Sequence, residues 1–212
     1  MDYPDIDARK KLVEFGQWLD SYNLCPATSG NLSARLSSDQ FLVTISGKHK
    51  GHLTEADFVP IQLDLDTPLA LQKNLIVLED KKPSAETWVH SILYRLNPHL
   101  RFILHTHSPY STVLSRMTQG DEIQFEGYEM QKALSGIQTH DCTVAIPIFK
   151  NTQDMIDLAQ QIETLWHTKP PQWGLLVQGH GLYAWGQSEA EVRRHVEGLE
   201  FLMQCQILER SM

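Results

Sequence analysis

The run Arg101-Phe102-Ile103-Leu104-His105-Thr106 has an apolar centre and no polar alternation. A short run of this kind is expected as a strand buried on both faces. Such a strand needs a covering layer on each side, which points to a sheet packed between helices. The rest of the chain supplies both kinds of element. Leu12, Val13, Phe15, Trp18 and Leu19 recur at helical spacing within residues 7–22. Met155, Ile156, Leu158, Ala159, Ile162 and Leu165 do so within residues 152–167. Further helices are expected over residues 88–96 with Ser84 as N-cap, from Tyr110 onward, and as a short piece over 128–134. A long last helix reaches Glu209, opened by Ser188-x-x-Glu191, which resembles a capping box. Strands are expected over 41–45, 58–65, 143–149, 173–177 and 182–185.

Strands and helices are interspersed, and some consecutive strands read as hairpins, so a mixed sheet covered by helices on both faces is expected. There is no internal repeat, low-complexity tract or linker, and residues 1–212 are expected to form one domain. With 26 acidic against 18 basic residues the net charge is −8, and no basic stripe suggests nucleic acid or an anionic membrane surface. The three cysteines, Cys25, Cys142 and Cys205, are widely spaced and form neither a zinc nor a redox Cys-x-x-Cys pair. The polar start, Met1-Asp2-Tyr3-Pro4-Asp5, is unlike a secretory leader, and no apolar run reaches the roughly 18 residues of a spanning helix. A cytoplasmic enzyme with a small-molecule substrate is the expectation.

The chemistry-bearing feature is His105-Thr106-His107. Side chains two apart on a strand share a face, so both imidazoles can reach one metal. Catalytic zinc typically takes three protein ligands and keeps one position open. His180 is the third candidate, because Gly179 and Gly181 allow a tight turn that pushes its side chain into a cleft. Each histidine alone reads as an ordinary surface, capping or core residue, as do His52, His90, His99, His140, His167 and His195.

Five segments in order change that balance: Ser29-Gly30-Asn31-Leu32-Ser33-Ala34-Arg35, Ile45-Ser46-Gly47, Lys82-Pro83-Ser84-Ala85-Glu86, His105-Thr106-His107 and Gly179-His180-Gly181. Together they resemble the class II aldolase and ribulose-phosphate epimerase superfamily over nearly the whole chain. Within it, Glu129-Met130 and Tyr183-Ala184-Trp185-Gly186 are similar to the branch that dehydrates 5-methylthioribulose 1-phosphate in methionine salvage. The resemblance implies an α/β, three-layer helix–sheet–helix sandwich with a mixed, mainly antiparallel central sheet. It also implies a homotetramer with active sites between neighbouring subunits, and one zinc ion held by His105, His107 and His180. Phosphate would be bound at Asn31, Ser46, Gly47 and Ser84. The family often carries two serines before the glutamate, and Ala85 stands at the second, so Lys48 is the expected substitute contact.

The implied reaction removes the C3 proton, acidic because of the C2 ketone, and expels the C4 hydroxyl. A carboxylate must accept the one and an acid must protonate the other. Glu129 is expected as that acid/base, and Glu86 stands where the aldolases carry a glutamate that alternates between metal and proton. Read without the resemblance, Glu129 is a solvated helix-face carboxylate and Glu86 a first-turn residue favoured by the helix dipole. The segments holding Asn31, Ser46, Gly47 and Lys48 read as two ordinary turns on the same terms. The alternatives are an aldolase or epimerase on another ketose phosphate, served by Glu86 and the same histidines, and a non-catalytic adaptor. A degenerate adaptor has no need to retain three ligands.

Overall fold

A computed structural model describes residues 4–211, so Met1 to Tyr3 of the polar start lie outside the described residues. Five α-helices and nine strands are described. The helices are α1 (Asp5–Ser21), α2 (Thr87–Leu96), α3 (Pro109–Met117), α4 (Met155–Trp166) and α5 (Glu189–Arg210). The strands are β1 (Asn31–Arg35), β2 (Gln40–Thr44), β3 (Phe58–Gln62), β4 (Ile76–Val77), β5 (Phe102–Thr106), β6 (Glu122–Phe125), β7 (Val144–Phe149), β8 (Gly174–Val177) and β9 (Gly181–Gly186). They form one sheet in the order β4-β3-β2-β1-β5-β9-β8-β7-β6. Every pairing is antiparallel except β7 with β8.

The apolar run that opened the sequence reading is the middle of this sheet. All five residues of β5 are buried, between β1 and β9. Side-chain alternation then sorts the core into two layers. On one face Leu104, Leu182 and Ala184 pack with Leu12, Phe15, Leu114, Val196 and Leu199 of α1, α3 and α5. On the other, Ile103, Tyr183 and Trp185 pack with Val89, Ile92, Leu158 and Ile162 of α2 and α4. This is the expected three-layer arrangement. No helix is long and apolar enough to cross a membrane among the described residues.

The expected helices and strands are present, with shifted ends. Ser188 caps α5 by accepting from the Glu191 N–H at 3.2 Å, but Glu191 takes the Gln187 N–H at 2.6 Å rather than that of Ser188. Ser84 is not the N-cap of α2; Glu86 holds that place. An Ile45–Pro83 bridge keeps the chain extended through residue 83, and a turn over 84–86 precedes the helix. Residues 128–134 form a 3-10 turn over Glu129–Ala133. Three strands escaped sequence reading. β1 alternates polar and apolar residues but holds no β-branched or aromatic residue to mark a strand, and β4 and β6 are too short to show a period.

Gly30 enters β1 with φ +75°, and a Cβ there would lie 2.5 Å from the His105 carbonyl oxygen. Gly30→Ala is therefore expected to cost about 1–3 kcal/mol through overpacking and backbone strain. A lowered urea midpoint with an unchanged m-value would confirm it.

Candidate metal centre

The end of β5 delivers the first two histidines. His105 is the fourth residue of the strand and is fully buried. His107 lies just past the strand end, where its N–H donates to the Leu24 carbonyl at 2.7 Å. His180 comes from the β8–β9 turn. Gly179 takes φ +65° there, and Gly181 sits so close to β5 that a Cβ would be 1.9 Å from the Thr106 carbonyl oxygen. The two flanking glycines thus let the turn reverse and let β9 lie directly against β5. The three Nε2 atoms converge, with His105–His107 at 2.8 Å, His107–His180 at 3.1 Å and His105–His180 at 3.3 Å. Glu86, ahead of α2, adds a carboxylate: Oε1 lies 2.9 Å from His180 Nε2 and 3.5 Å from His105 Nε2.

The protonation pattern suits a cation. His105 Nδ1 donates to the Leu182 carbonyl at 3.0 Å, so its Nε2 turns a lone pair into the cluster. The Tyr183 ring stacks on His105 at 3.8 Å and holds its plane. Burial, with the neighbouring imidazoles, pushes His107 down to about 3, which keeps it neutral. Burial alone would raise the Glu86 carboxyl, but positive charge at the His105 and His180 positions, of the sign a metal would also supply, outweighs it and holds Glu86 well below the usual carboxylate range. Glu86 Oε1 and the Tyr183 hydroxyl are both buried without a hydrogen-bond partner. Imidazole ligands bound tetrahedrally to zinc at about 2.0–2.1 Å stand about 3.3 Å apart. The observed spacings are close to that. Three imidazole nitrogens and an orphaned carboxylate oxygen, all within 4.8 Å of one another, fit a divalent metal.

The centre opens into a cleft of 330 Å³ lined by Ser29, His107, Thr112, Asn151, Gln153 and His180, among others. A larger cavity of 1090 Å³ lies between β7, α4 and the 168–173 loop. Its lining carries the Lys169–Glu122 ion pair together with Asp121 and Lys150, but none of the clustered histidines, so the smaller cleft is the one equipped to hold a metal.

The sequence matches the Class II Aldolase and Adducin N-terminal domain over residues 10–207. The chain belongs to the class II aldolase family. It is 49% identical to methylthioribulose-1-phosphate dehydratase of Yersinia enterocolitica over 91% of this chain and 88% of the relative. It is 46% identical to the protein of the same name from Serratia proteamaculans, over 95% and 94%. The L-fuculose-1-phosphate aldolase structure from Thermus thermophilus superposes with a TM-score of 0.72 at 23% identity, covering 98% of this chain and 97% of that one. At that identity the superposition speaks for the shared class II aldolase fold alone.

Of the residues expected at the site, His105, His107, His180 and Glu86 come together. Glu129 does not join them within one chain. Its side chain is 71% exposed and pairs with Lys132 and His140. The expected phosphate segments do become neighbours. Ser46 N–H donates to the Lys82 carbonyl and Ser84 N–H to the Thr44 carbonyl, which lays 46–48 beside 84–86. Gly47 takes φ +77° with open space around it. Among the described residues, the N–H groups of Gly47 and Lys48 have no protein acceptor, which suits an anion nest. Lys48 ion-pairs with Asp57 at 2.8 Å. Asn31 donates its amide to Glu86 Oε2. Trp185 and Tyr183 are core residues, and neither lines the cleft at the histidines.

Two supporting residues went unread. Lys50 is buried and its Nζ donates to the carbonyls of Thr28 at 3.0 Å and Lys48 at 2.6 Å, tying two of the candidate phosphate loops together. Nothing in its local sequence distinguishes it from a surface lysine. Glu200 of α5 is buried beneath β5 and accepts from Thr106 Oγ1 at 2.7 Å and from the Ser108 hydroxyl, which anchors the strand end carrying the histidines. A glutamate among the apolar positions of a long helix was the available signal.

Burial pushes the Glu200 carboxyl up to about 7, against the hydroxyl contacts that lower it. An unfolded glutamate ionises near about 4.3. The folded chain therefore binds the extra proton between those values, and stability falls as pH rises through that window. Glu200→Gln is expected to flatten this slope, read as urea midpoints at about pH 5 and about pH 8.

Proposed function

We propose that this chain is a zinc-dependent hydro-lyase converting 5-methylthioribulose 1-phosphate to 5-methylthio-2,3-dioxopentyl phosphate and water in methionine salvage. The observation that carries this reading is the convergence of three imidazoles and one carboxylate at a cleft beside candidate anion-binding loops. The dehydratases at 46% and 49% identity supply the substrate. A divalent cation held by His105, His107 and His180 would supply Lewis-acid charge beside the C2 ketone. The chain's own residues do the rest. The Gly47–Lys48 N–H groups, with Ser46, Ser84 and Asn31, bind the phosphate and fix the sugar's direction. A carboxylate takes the C3 proton, and the same or a second group returns a proton to the departing C4 hydroxyl, so one water leaves.

Glu129 is the proposed acid/base. Its exposure suits a homotetramer in which each Glu129 serves the cleft of a neighbouring subunit. Exposed Val113 and Met117 of α3, whose Thr112 lines the cleft, offer apolar surface for such a contact. A ketose-phosphate aldolase or epimerase is the second reading, and one observation favours it: Glu86, not Glu129, stands at the histidines within a single chain.

The metal-loaded protein is expected to convert the methylthio-ketose phosphate to a product lighter by one water, followed by mass spectrometry. Glu129→Ala should lower kcat by about 10²-fold or more. Loss confined to Glu86→Ala, or cleavage of another sugar phosphate with this one untouched, would favour the aldolase. His107→Ala is expected to abolish stoichiometric metal, read by elemental analysis of the purified protein.

A further inference from the structure

Helix α2 carries a second group that reaches the metal centre. One turn on from Glu86, His90 is fully buried, and its Nε2 bonds Asn31 Oδ1. The Asn31 amide nitrogen in turn donates to Glu86 Oε2. On the other side of the ring, His90 Nδ1 meets the Ser33 hydroxyl at 2.6 Å, and Ser33 meets the Tyr94 hydroxyl at 2.9 Å.

The carboxylate end sets the direction of every bond. An ionised carboxylate only accepts, so Asn31 turns its amide nitrogen to Glu86 and its oxygen to His90. His90 then carries its proton on Nε2, and its bare Nδ1 accepts from Ser33. With the Ser33 proton given to His90, the Tyr94 hydroxyl is left to donate to Ser33 at 2.9 Å, with the Arg101 carbonyl as a longer acceptor at 3.3 Å. Side chains of β1 and α2 thus form one polarised chain that ends on Glu86 Oε2. With Oε2 held, Oε1 is the oxygen left facing His180 and His105, and it is the one without a hydrogen-bond partner. Packing alone does not explain this histidine. Its edge-on contact with Tyr183, centroids 5.8 Å apart, would be served equally by phenylalanine.

We propose that His90 is a positioning residue that locks the Asn31 amide against Glu86 Oε2 and so aims Oε1 at the metal centre. The proposal rests on the metal-centre reading and is independent of which sugar phosphate is the substrate.

Co²⁺ titration of the metal-free full chain against a competing chelator tests it, with the visible absorption of bound Co²⁺ reporting the ligand geometry. His90→Phe is expected to weaken Co²⁺ binding by about 10- to 100-fold, the usual effect of losing a residue that orients a ligand. It should alter the Co²⁺ bands in the same sense as Glu86→Gln. Because both act on one carboxylate, the double variant should bind no more weakly than Glu86→Gln alone. His90→Gln, which restores a donor near the Nε2 position, should recover most of the loss. His90→Asn, polar but too short to reach Asn31, should behave as His90→Phe does and serves if the phenylalanine variant fails to fold. Three outcomes overturn the proposal: a folded His90→Phe or His90→Asn that binds Co²⁺ like the wild type, additive losses in the double variant, or a Glu86→Gln spectrum identical to wild type. A wild-type chain that binds no Co²⁺ would instead sink the metal centre itself.

Discussion

Antiparallel pairing of β5 with β9 sets His105 opposite Tyr183 and Thr106 opposite Leu182, and the candidate site depends on that register. A slip of one residue would turn His105 into the opposite face of the sheet, since side chains alternate. The register is held from both sides. Leu104 and Ala184 belong to the core under α1 and α5, and Ile103 and Trp185 to the core under α2 and α4. A slip would therefore misplace both layers at once. The contact that makes the register possible is also tight, because Gly181 is the only kind of residue that fits against the Thr106 carbonyl.

Around this frame the structure buries an unusual set of polar groups, and most of them end on backbone or on one another. Arg35 donates to the carbonyls of Leu100 and Tyr94 and stacks over the Tyr94 ring at 4.7 Å, which fixes the approach to β5. Lys50 gathers two carbonyls, and Glu200 two hydroxyls. Buried polar groups are costly unless satisfied, and satisfied networks rigidify their surroundings. Of these, Lys50 and Glu200 lie beside the place where a metal and a phosphate would need fixed geometry. The polar atoms left unsatisfied include Glu86 Oε1 and the Tyr183 hydroxyl, both at the centre itself.

Sequence reading recovered α1 and α4 from their clear apolar periods, and α5 from the Ser188-x-x-Glu191 start. It missed β1, a short alternating run without β-branched or aromatic residues, whose polar members are buried only by the surrounding fold. It placed the start of α2 at Ser84, because nothing local reveals the Ile45–Pro83 bridge that keeps the chain extended there. Among the functional residues, the histidines and Glu86 were readable from spacing and resemblance. His90 was classed with the ordinary histidines, although it stands four residues from Glu86, the interval that puts two side chains on one helical face. Lys48 was an attractive cation in sequence, and the fold gave its charge to Asp57.

What the sequence determined by itself was local: which runs are apolar, where glycine permits a reversal, and which donor atoms are present. His105 and His107 share a face because strand geometry requires it. Which third and fourth groups meet them is a matter of long-range packing. His180 and Glu86 arrive from turns distant in the chain, brought in by β9 pairing with β5 and by α2 covering the sheet. The same packing left Glu129 on the surface, so the catalytic part proposed for it requires contacts beyond a single chain. Only the tertiary structure decided that Asn31, first read as a phosphate contact, also bonds Glu86 and His90, because that choice depends on β1 lying beside β5 with Asn31 opposite His105.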